Sequence, residues 1–323
     1  MNEDEARRPT VPVALPALSA YGLLQFVAIP PWDAYFMEMA PITSIGFPEP
    51  FQVRVFSTMN SPGSFAALLA FGMLLLLPKI RGWEFLSLLL AFGALFVTTQ
   101  RAAMGALVLA VTVLALTTRQ RQIQAGVGKM LVICGIALVA MLAMPEAAVK
   151  ITGSLTSVTN LSNDGSAQER AVQYEQLGSK LESRPYGWGL AWSTNQFLKD
   201  GSTFALDSAI IDILVSFGVV GGIVFLGTLG TIFAQTWFIA SATSDPQAKA
   251  EFGAVIYGIS QLPFGGQHAG EHGMFFYLAV GLVLARSCVP RAAGHGARRA
   301  PASPDTSSAE PFRPQRPRLV GPE

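Results

Sequence analysis

Eight long apolar runs constrain the fold of this chain more than any other feature of its sequence. Each run approaches the ~20 residues that an α-helix needs to cross a hydrocarbon core about 30 Å thick. The runs lie at 13–30, 63–79, 83–99, 102–118, 128–144, 218–240, 251–265 and 271–287. They predict an all-α, polytopic integral membrane protein with about eight transmembrane helices.

The composition agrees with a membrane location and excludes two classes of site. Hydrophobic residues make up 51% of the chain and charged residues only 13%, well below the charged share of a soluble protein. The two cysteines, Cys134 and Cys288, cannot build a disulfide framework or a thiolate metal site. The N-terminal MNEDEARRPTVP lacks a small-residue cleavage site, so we expect membrane insertion to depend on internal spans.

Basic residues beside the apolar runs predict how the chain crosses the membrane. Lys and Arg are retained on the cytoplasmic side, and pairs such as Lys79 with Arg81 fall at alternate ends of the runs. The predicted organisation is a cytoplasmic N-terminus at 1–12, transmembrane helices over 13–144 with an outer loop near 31–62, a large outer loop at 145–217, transmembrane helices over 218–287 and a disordered cytoplasmic tail at 288–323.

The large outer loop is predicted to be folded and to contain short helices. Residues 166–183, SAQERAVQYEQLGSKLES, have a helix-forming composition, with Ser166 and Glu169 at the spacing of a capping box. The following RPYGWGL, at 184–190, breaks this helix with its proline and two glycines. A folded outer loop indicates a function on that face.

Four arginines lie on the predicted outer face, against the usual charge rule. They are Arg54, Arg101, Arg170 and Arg184. Arginine presents a permanent charge and a planar fork of donors that suits phosphate oxygens. The alternative is that each arginine snorkels or pairs with a nearby carboxylate. Because the arginines recur at span ends on this face, we favour a site for a diphosphate-linked lipid over the alternative.

Four stretches of the sequence carry a resemblance to a known family. In order they read RVFSTMNSPGSFAALL, TTQRAAMGALVLAV, ERAVQYEQLGSKLESRPYGWGL and LDSAIIDILVSFGVVGGIVFL. This ordered set resembles the bacterial O-antigen ligase and O-antigen polymerase superfamily. Its members share an Arg-containing turn, a Ser/Thr-x-Arg-Gly/Ala step and a periplasmic loop with an arginine helix. The similarity covers about residues 20–287.

The resemblance implies a glycosyltransferase of the bacterial inner membrane whose active site faces the periplasm. Such an enzyme moves a glycan from undecaprenyl diphosphate to an acceptor sugar hydroxyl during exopolysaccharide or O-antigen synthesis, with no metal or other cofactor. Its expected partners are the undecaprenyl-diphosphate-linked glycan, the lipid bilayer and other polysaccharide export and chain-length proteins, with no nucleic acid.

The resemblance also assigns the diphosphate to particular arginines. Arg54 matches the first family motif, Arg101 the second and Arg170 the arginine of the loop helix. Arg184 stands beside the Pro-Gly turn without so firm a counterpart. We expect all four to bind the diphosphate and Arg170 to act in catalysis as well.

One step departs from the ligase pattern. Ligases of the family carry a histidine before the short helix that we predict at 206–218, whereas this chain has Asp207 and Ser208. The departure favours a polymerase over a ligase, with Asp207 as general base for the acceptor hydroxyl. The alternative is that Asp207 or Ser208 caps the helix, and Asp207 can serve in both roles.

Trp188, Trp192 and His268 are the predicted glycan contacts. The two tryptophans lie beside the glycine turn and would stack on sugar rings, and the alternative for them is an interfacial aromatic belt. His268 belongs to GGQHAGEHGMFF, which has the His-x-x-Glu-His spacing of an inverted zincin. We predict no metal there, because the many glycines argue against a stable helix and a further distant ligand is required.

Two readings remain open besides a polymerase or a ligase. A lipid or solute transporter is less favoured, because the span interiors are nearly free of charge and no internal repeat is evident. Family members usually carry several more N-terminal spans, so the resemblance also implies an N-terminally shortened chain or an inactive remnant.

Overall fold

The helices of the structure follow the apolar runs of the sequence. A computed structural model describes residues 11–39, 45–159, 165–190, 208–265 and 270–288. Within these ranges the chain is mostly α-helical, and β-type pairing is limited to an isolated antiparallel bridge between Gly46 and Val53. The prediction of an all-α protein is therefore confirmed for the described residues.

Eleven α-helices occupy the described part of the chain. In order they are α1 (Val11–Val27), α2 (Pro31–Met39), α3 (Pro62–Leu76), α4 (Trp83–Thr98), α5 (Arg101–Thr117), α6 (Arg121–Leu142), α7 (Pro145–Thr159), α8 (Gly165–Ser183), α9 (Ala209–Ala242), α10 (Pro246–Gln261) and α11 (Gly270–Cys288). A 3-10 turn at Leu77–Lys79 extends α3.

Two local predictions need correction. The helix predicted at 166–183 is present as α8, but it begins at Gly165, one residue before the predicted cap residue Ser166. The glycine-rich stretch around Glu271 and His272 was expected to be non-helical, yet α11 begins at Gly270. Burial of the apolar face of α11 against the core outweighs the low helix propensity of its glycines.

The number of membrane crossings supported by the helices is smaller than the number of apolar runs. Within the described ranges, three helices have the length and apolar composition to cross a membrane: α3 with its 3-10 turn, α6 and α9. The α1–α2 pair, bent by 75°, makes a fourth if it counts as one span. Helix α4 has 16 residues, or about 24 Å, and is short for a full crossing. Eight spans remain a prediction.

Helix α3 is the centre of the bundle. All but two of its residues are buried, and it packs against α1, α4, α5 and α10. It begins one residue before the predicted run at 63–79, with Pro62 at the first helical position and Ser61 as the extended N-cap residue. A helix that is apolar on every side suits burial, either in such a ring of neighbours or in a membrane.

Helix α10 defines two ends of the bundle. Near its start, the N-cap residue Asp245 and Glu251 in the second turn both accept hydrogen bonds from the Arg286 guanidinium, with 2.6 Å from Nε to the Glu251 carboxylate. At its last residue, the Gln261 amide donates to the Ala102 carbonyl oxygen at the start of α5, 2.7 Å away. We call these the Arg286 end and the Ala102 end.

Helix α9 is broken at Gly218, and the turn that follows α8 fills the break. Gly218 has φ 70°, so the helix cannot continue through it. The backbone N–H of Trp188 donates to the Val215 carbonyl at 2.8 Å, and the N–H of Val219 donates to the Pro185 carbonyl at 3.0 Å. A break in an apolar helix is tolerated where other groups supply the missing hydrogen bonds.

Two glycines of this turn offer a matched pair for testing how closely the turn packs against the α9 break. Both have positive φ, 88° at Gly187 and 90° at Gly189. A Cβ on Gly187 would lie 2.4 Å from the Ser216 carbonyl oxygen, whereas a Cβ on Gly189 meets nothing within 4 Å.

We expect Gly187→Ala to destabilise the protein by roughly 3 kcal/mol or more, because it adds a backbone clash to the strained φ. Gly189→Ala keeps the strain without the clash and should cost about 1 kcal/mol. Thermal unfolding of the two purified variants in detergent, followed by tryptophan fluorescence, measures the difference. Equal losses would show that the turn does not depend on close packing against α9.

Candidate functional site

Arg54 lies in the loop between α2 and α3 and reaches the turn between α4 and α5. Its Nε donates to the Thr99 hydroxyl oxygen at 2.8 Å, and its Nη2 lies 3.4 Å from the Thr99 carbonyl oxygen. The side chain is half-buried. A residue 45 positions away in sequence therefore orients the guanidinium at the Ala102 end of the bundle.

The α4–α5 turn brings Arg101 to the same place. Thr99 ends α4 in the left-handed conformation, with φ 55°, and its carbonyl accepts a hydrogen bond from the Arg101 N–H at 3.1 Å. Arg101 is the first residue of α5 and is half-buried. Its positive side chain thus stands at the positive end of a helix dipole, an arrangement that an anion would stabilise.

A buried polar network holds the Arg54 loop in place. The Gln25 carboxamide oxygen accepts hydrogen bonds from the backbone N–H groups of Phe56 and Ser57, at 3.3 and 2.7 Å. Its nitrogen donates to the Asp33 carboxylate at 2.8 Å and to the Ser57 carbonyl at 3.1 Å. Tyr21 also donates to Asp33, at 2.7 Å. With its polar atoms paired, this network makes the loop a rigid support.

Lys150, on α7, is a further cation beside the Arg54 loop. Its ammonium donates to the Val53 carbonyl at 2.5 Å and lies 3.5 Å from the Phe51 carbonyl and 5.5 Å from the centre of the Phe26 ring. Lys150 falls within the outer loop predicted at 145–217, but no sequence motif marked it as part of a site. Only the packing of α7 against this loop reveals it.

The electrostatics of this cluster favour an anion. Burial, together with the nearby Arg101 charge, lowers the pKa of Arg54. Burial and the nearby Arg54 charge lower the pKa of Lys150 to about 8. Like charges held together in a partly desolvated setting raise each other's free energy, and a bound polyanion would relieve that cost.

Ser208 and the start of α9 meet the same end of the bundle. Helix α9 begins at Ala209, whose N–H donates to the carbonyl oxygens of Leu262 and Gly265 at 2.9 and 3.0 Å. Gln261, beside Leu262, bonds the Ala102 carbonyl next to Arg101. These hydrogen bonds join the start of α9 to the start of α5.

Of the two predicted capping residues, Ser208 holds the N-cap position of α9, but its side chain makes no capping hydrogen bond. The Ser208 hydroxyl instead lies 3.2 Å from the Tyr174 hydroxyl on α8. Asp207 lies outside the described residues. A carboxylate that the sequence did not single out, Asp212, stands one turn into α9 and accepts a hydrogen bond from the Ser216 hydroxyl at 3.1 Å.

Arg184 and Trp188 are brought together after α8. The guanidinium carbon of Arg184 lies 4.3 Å from the centre of the Trp188 ring, a cation–π contact. Their turn docks on Val215 and Ser216 of α9. Among the described residues no contact joins Arg184 to Arg54.

Three further predicted site residues have limited structural descriptions. Arg170 lies in α8, and only its backbone is described. Trp192 and His268 lie outside the described residues. Their roles as diphosphate or glycan ligands therefore remain predictions.

His272 packs against the start of α3. Its Nδ1 lies 3.5 Å from the Ser64 hydroxyl oxygen, and a Cβ on Gly63 would lie 3.1 Å from its Nε2. This contact joins the SPGS turn of the first motif to α11. In the part of the chain that the structure describes, no group of three or more His, Cys, Asp or Glu residues is arranged to hold a metal ion.

Comparison with known proteins identifies a family domain that overlaps much of this site. The family described as O-antigen ligase matches residues 86–226. Arg101, Lys150, Arg184 and Trp188 fall within the match, whereas Arg54 precedes it. A search of curated proteins finds no match.

The match agrees with the order of the motifs and with the apolar helices that surround the site. Members of this family act on lipid-linked glycans in the membrane. The match at residues 86–226 supports the resemblance of this chain to the O-antigen ligase and polymerase superfamily.

Proposed function

We propose that the protein is a membrane glycan polymerase. It moves an undecaprenyl-diphosphate-linked oligosaccharide onto an acceptor sugar hydroxyl at the periplasmic face of the bacterial inner membrane, during exopolysaccharide or O-antigen synthesis. The Ala102 end of the bundle then faces the periplasm. The proposal includes eight membrane spans and a metal-independent mechanism.

The observation that carries this proposal is the meeting of Arg54 with Arg101 at the α4–α5 turn. The two arginines come from separate family motifs and share Thr99 as a neighbour. A diphosphate carries several oxygens and more than one negative charge, so two guanidinium groups match it better than one. Lys150 adds a third cation and holds the loop that carries Arg54.

The reaction needs charge stabilisation more than any other contribution. The acceptor oxygen attacks the anomeric carbon, the new glycosidic bond forms, and the bond from that carbon to the diphosphate oxygen breaks with inversion. Negative charge then grows on the leaving diphosphate, where Arg54 and Arg101 stabilise it. Asp207 takes the proton from the acceptor hydroxyl as general base. Arg170, Arg184, Trp188, Trp192 and His268 are proposed to hold the diphosphate and the sugars.

An O-antigen ligase is the second candidate, and the name of the matching family domain favours it. A ligase would use the same leaving group and differ in its acceptor. The Asp207-Ser208 step in place of a histidine favours the polymerase. A lipid or solute transporter is the candidate from another class. It would use the same cations to bind an anionic substrate but would not catalyse glycosyl transfer.

We expect Arg54→Ala and Arg101→Ala each to lower glycan transfer at least a hundredfold, because each removes a donor that acts on charge developed in the transition state. Arg119→Ala is the matched control, since Arg119 is an exposed arginine near the Arg286 end. Each variant is expressed in the native host, checked for membrane level by immunoblot and compared by a gel of the surface glycan.

The gel separates the candidates. Loss of long polymer with single repeat units still attached supports the polymerase. Free polymer that is made but not attached indicates a ligase instead. An unchanged pattern in both arginine variants and in a deletion strain would disprove glycan transfer.

Asp207→Asn tests the proposed general base. The substitution keeps the size and hydrogen-bonding ability of the side chain but removes its capacity to take up a proton. We expect at least a hundredfold loss of transfer at unchanged membrane level. Asp212→Asn is the comparison, because Asp212 is a carboxylate in the first turn of α9, five residues further along the chain. Retention of activity by Asp207→Asn alone, with loss in Asp212→Asn, would reassign the base.

Lys150 predicts a pH dependence with opposite signs for binding and stability. With a pKa of about 8, its ammonium is mostly charged at pH 7 and mostly neutral at pH 9, so affinity for a diphosphate lipid should fall over this interval. The unfolded chain holds this proton up to about pH 10.4, so this group makes the folded state more stable as pH rises from 8 to 10.4.

Lys150→Arg retains the charge throughout this range and is the matched control. We expect binding of a diphosphate lipid in detergent, measured at pH 7, 8 and 9, to weaken severalfold in the wild type and to stay level in the variant. Parallel profiles in the two proteins would show that the Lys150 charge does not contribute to binding.

A further inference from the structure

A second cationic site lies near the Arg286 end, away from the candidate active site. A surface cavity of about 490 Å³ opens where α3 ends and where α4 and α6 begin. Three cations line it, Lys79, Arg81 and Lys129, together with a single carboxylate, Glu84. The lining therefore has an excess of positive charge.

The cations of this cavity differ from the neighbouring Arg286 in how they are neutralised. Arg286 is paired with two carboxylates, those of Asp245 and Glu251. Within the described residues, Lys79 and Arg81 have no side-chain ion-pair partner, and Glu84 accepts a hydrogen bond from the Arg81 backbone N–H. At this end, Arg286 is therefore neutralised by carboxylates, whereas Lys79 and Arg81 can bind a ligand.

The shape of the cavity is set by backbone contacts. Lys129 donates to the Ile80 carbonyl oxygen at 2.9 Å, which holds the loop after α3 against α6. Gly126 lets α6 approach closely, because a Cβ there would lie 2.2 Å from the Leu77 carbonyl oxygen. An ammonium has three donors, so Lys129 retains donors for a ligand after this bond. The cavity is therefore held open by the packing of the helices.

The position of the cavity indicates a ligand from the membrane. The candidate span Pro62–Lys79 ends at Lys79, which lines the cavity. Trp83 and Phe85, beside the cavity on α4, are 56% and 40% exposed. An exposed tryptophan such as Trp83 marks the level of lipid headgroups at a span end. The open cations accordingly lie at the depth of lipid phosphates.

We propose that this cavity binds the phosphate headgroup of an anionic phospholipid. Lys79 and Arg81 contact the phosphate oxygens, Lys129 closes the site from α6, and the acyl chains lie along the exposed apolar residues of α4. Cationic pockets between helices recognise anionic headgroups by this combination of charge and depth. The proposal does not rest on glycan transfer, because it concerns a different end of the bundle.

Native mass spectrometry of the full chain in a neutral detergent tests the proposal. The probes are phosphatidylglycerol, phosphatidylcholine at equal concentration and inorganic phosphate. We expect retention of one phosphatidylglycerol in preference to phosphatidylcholine. The double variant Lys79→Ala/Arg81→Ala should weaken this binding by roughly tenfold or more, since each cation near a membrane surface contributes roughly fivefold.

Two control variants make the outcome decisive. Lys79→Arg/Arg81→Lys keeps both charges and should retain the lipid, and Arg119→Ala removes a nearby charge outside the cavity lining and should leave binding unchanged. Equal retention of the two phospholipids, or equal losses in Arg119→Ala and the double alanine variant, would overturn the proposal. So would saturation of the site by inorganic phosphate that prevents lipid retention, because the ligand would then be a soluble anion.

Discussion

The need to satisfy backbone polar groups in apolar surroundings shapes this protein. The break in α9 at Gly218 would leave carbonyl and N–H groups without partners, and the turn after α8 supplies them at Val215, Ser216 and Val219. One set of hydrogen bonds thus fixes both the direction of a long apolar helix and the position of the loop helix α8.

The same requirement explains how the arginine cluster is held. Arg54 lies on an irregular loop, and irregular backbone next to apolar helices needs side chains that complete its hydrogen bonds. Gln25 and Lys150 supply them from α1 and α7. Because the support comes from several helices, the guanidinium groups of Arg54 and Arg101 can be kept close despite their repulsion, which prepares the site for a polyanionic ligand.

The treatment of charge differs between the parts of the bundle. Arg286 is neutralised by carboxylates and locks α10 to α11, as a structural ion pair does. The cavity beside Lys79 has three lining cations and Glu84 as its single lining carboxylate. At the Ala102 end, burial and neighbouring positive charge lower the pKa of both Arg54 and Lys150. Burying like charges close together costs free energy. Both places therefore suit anionic ligands, one the diphosphate of a glycan carrier and the other a phospholipid headgroup.

The sequence by itself determined most of the helices, the run at 63–79 that becomes α3, the resemblance to a family and the candidate arginines, because hydropathy and short motifs are local properties of the chain. Tertiary structure alone revealed the role of Lys150, the docking of the 185–189 turn in the α9 break and the helical start of α11. It also reduced the number of supported spans to three or four. These features depend on contacts between residues that are distant in sequence. Lys150 becomes part of the site only because α7 packs against the Arg54 loop. The helix break at Gly218 is stable only because the turn after α8 supplies its hydrogen bonds.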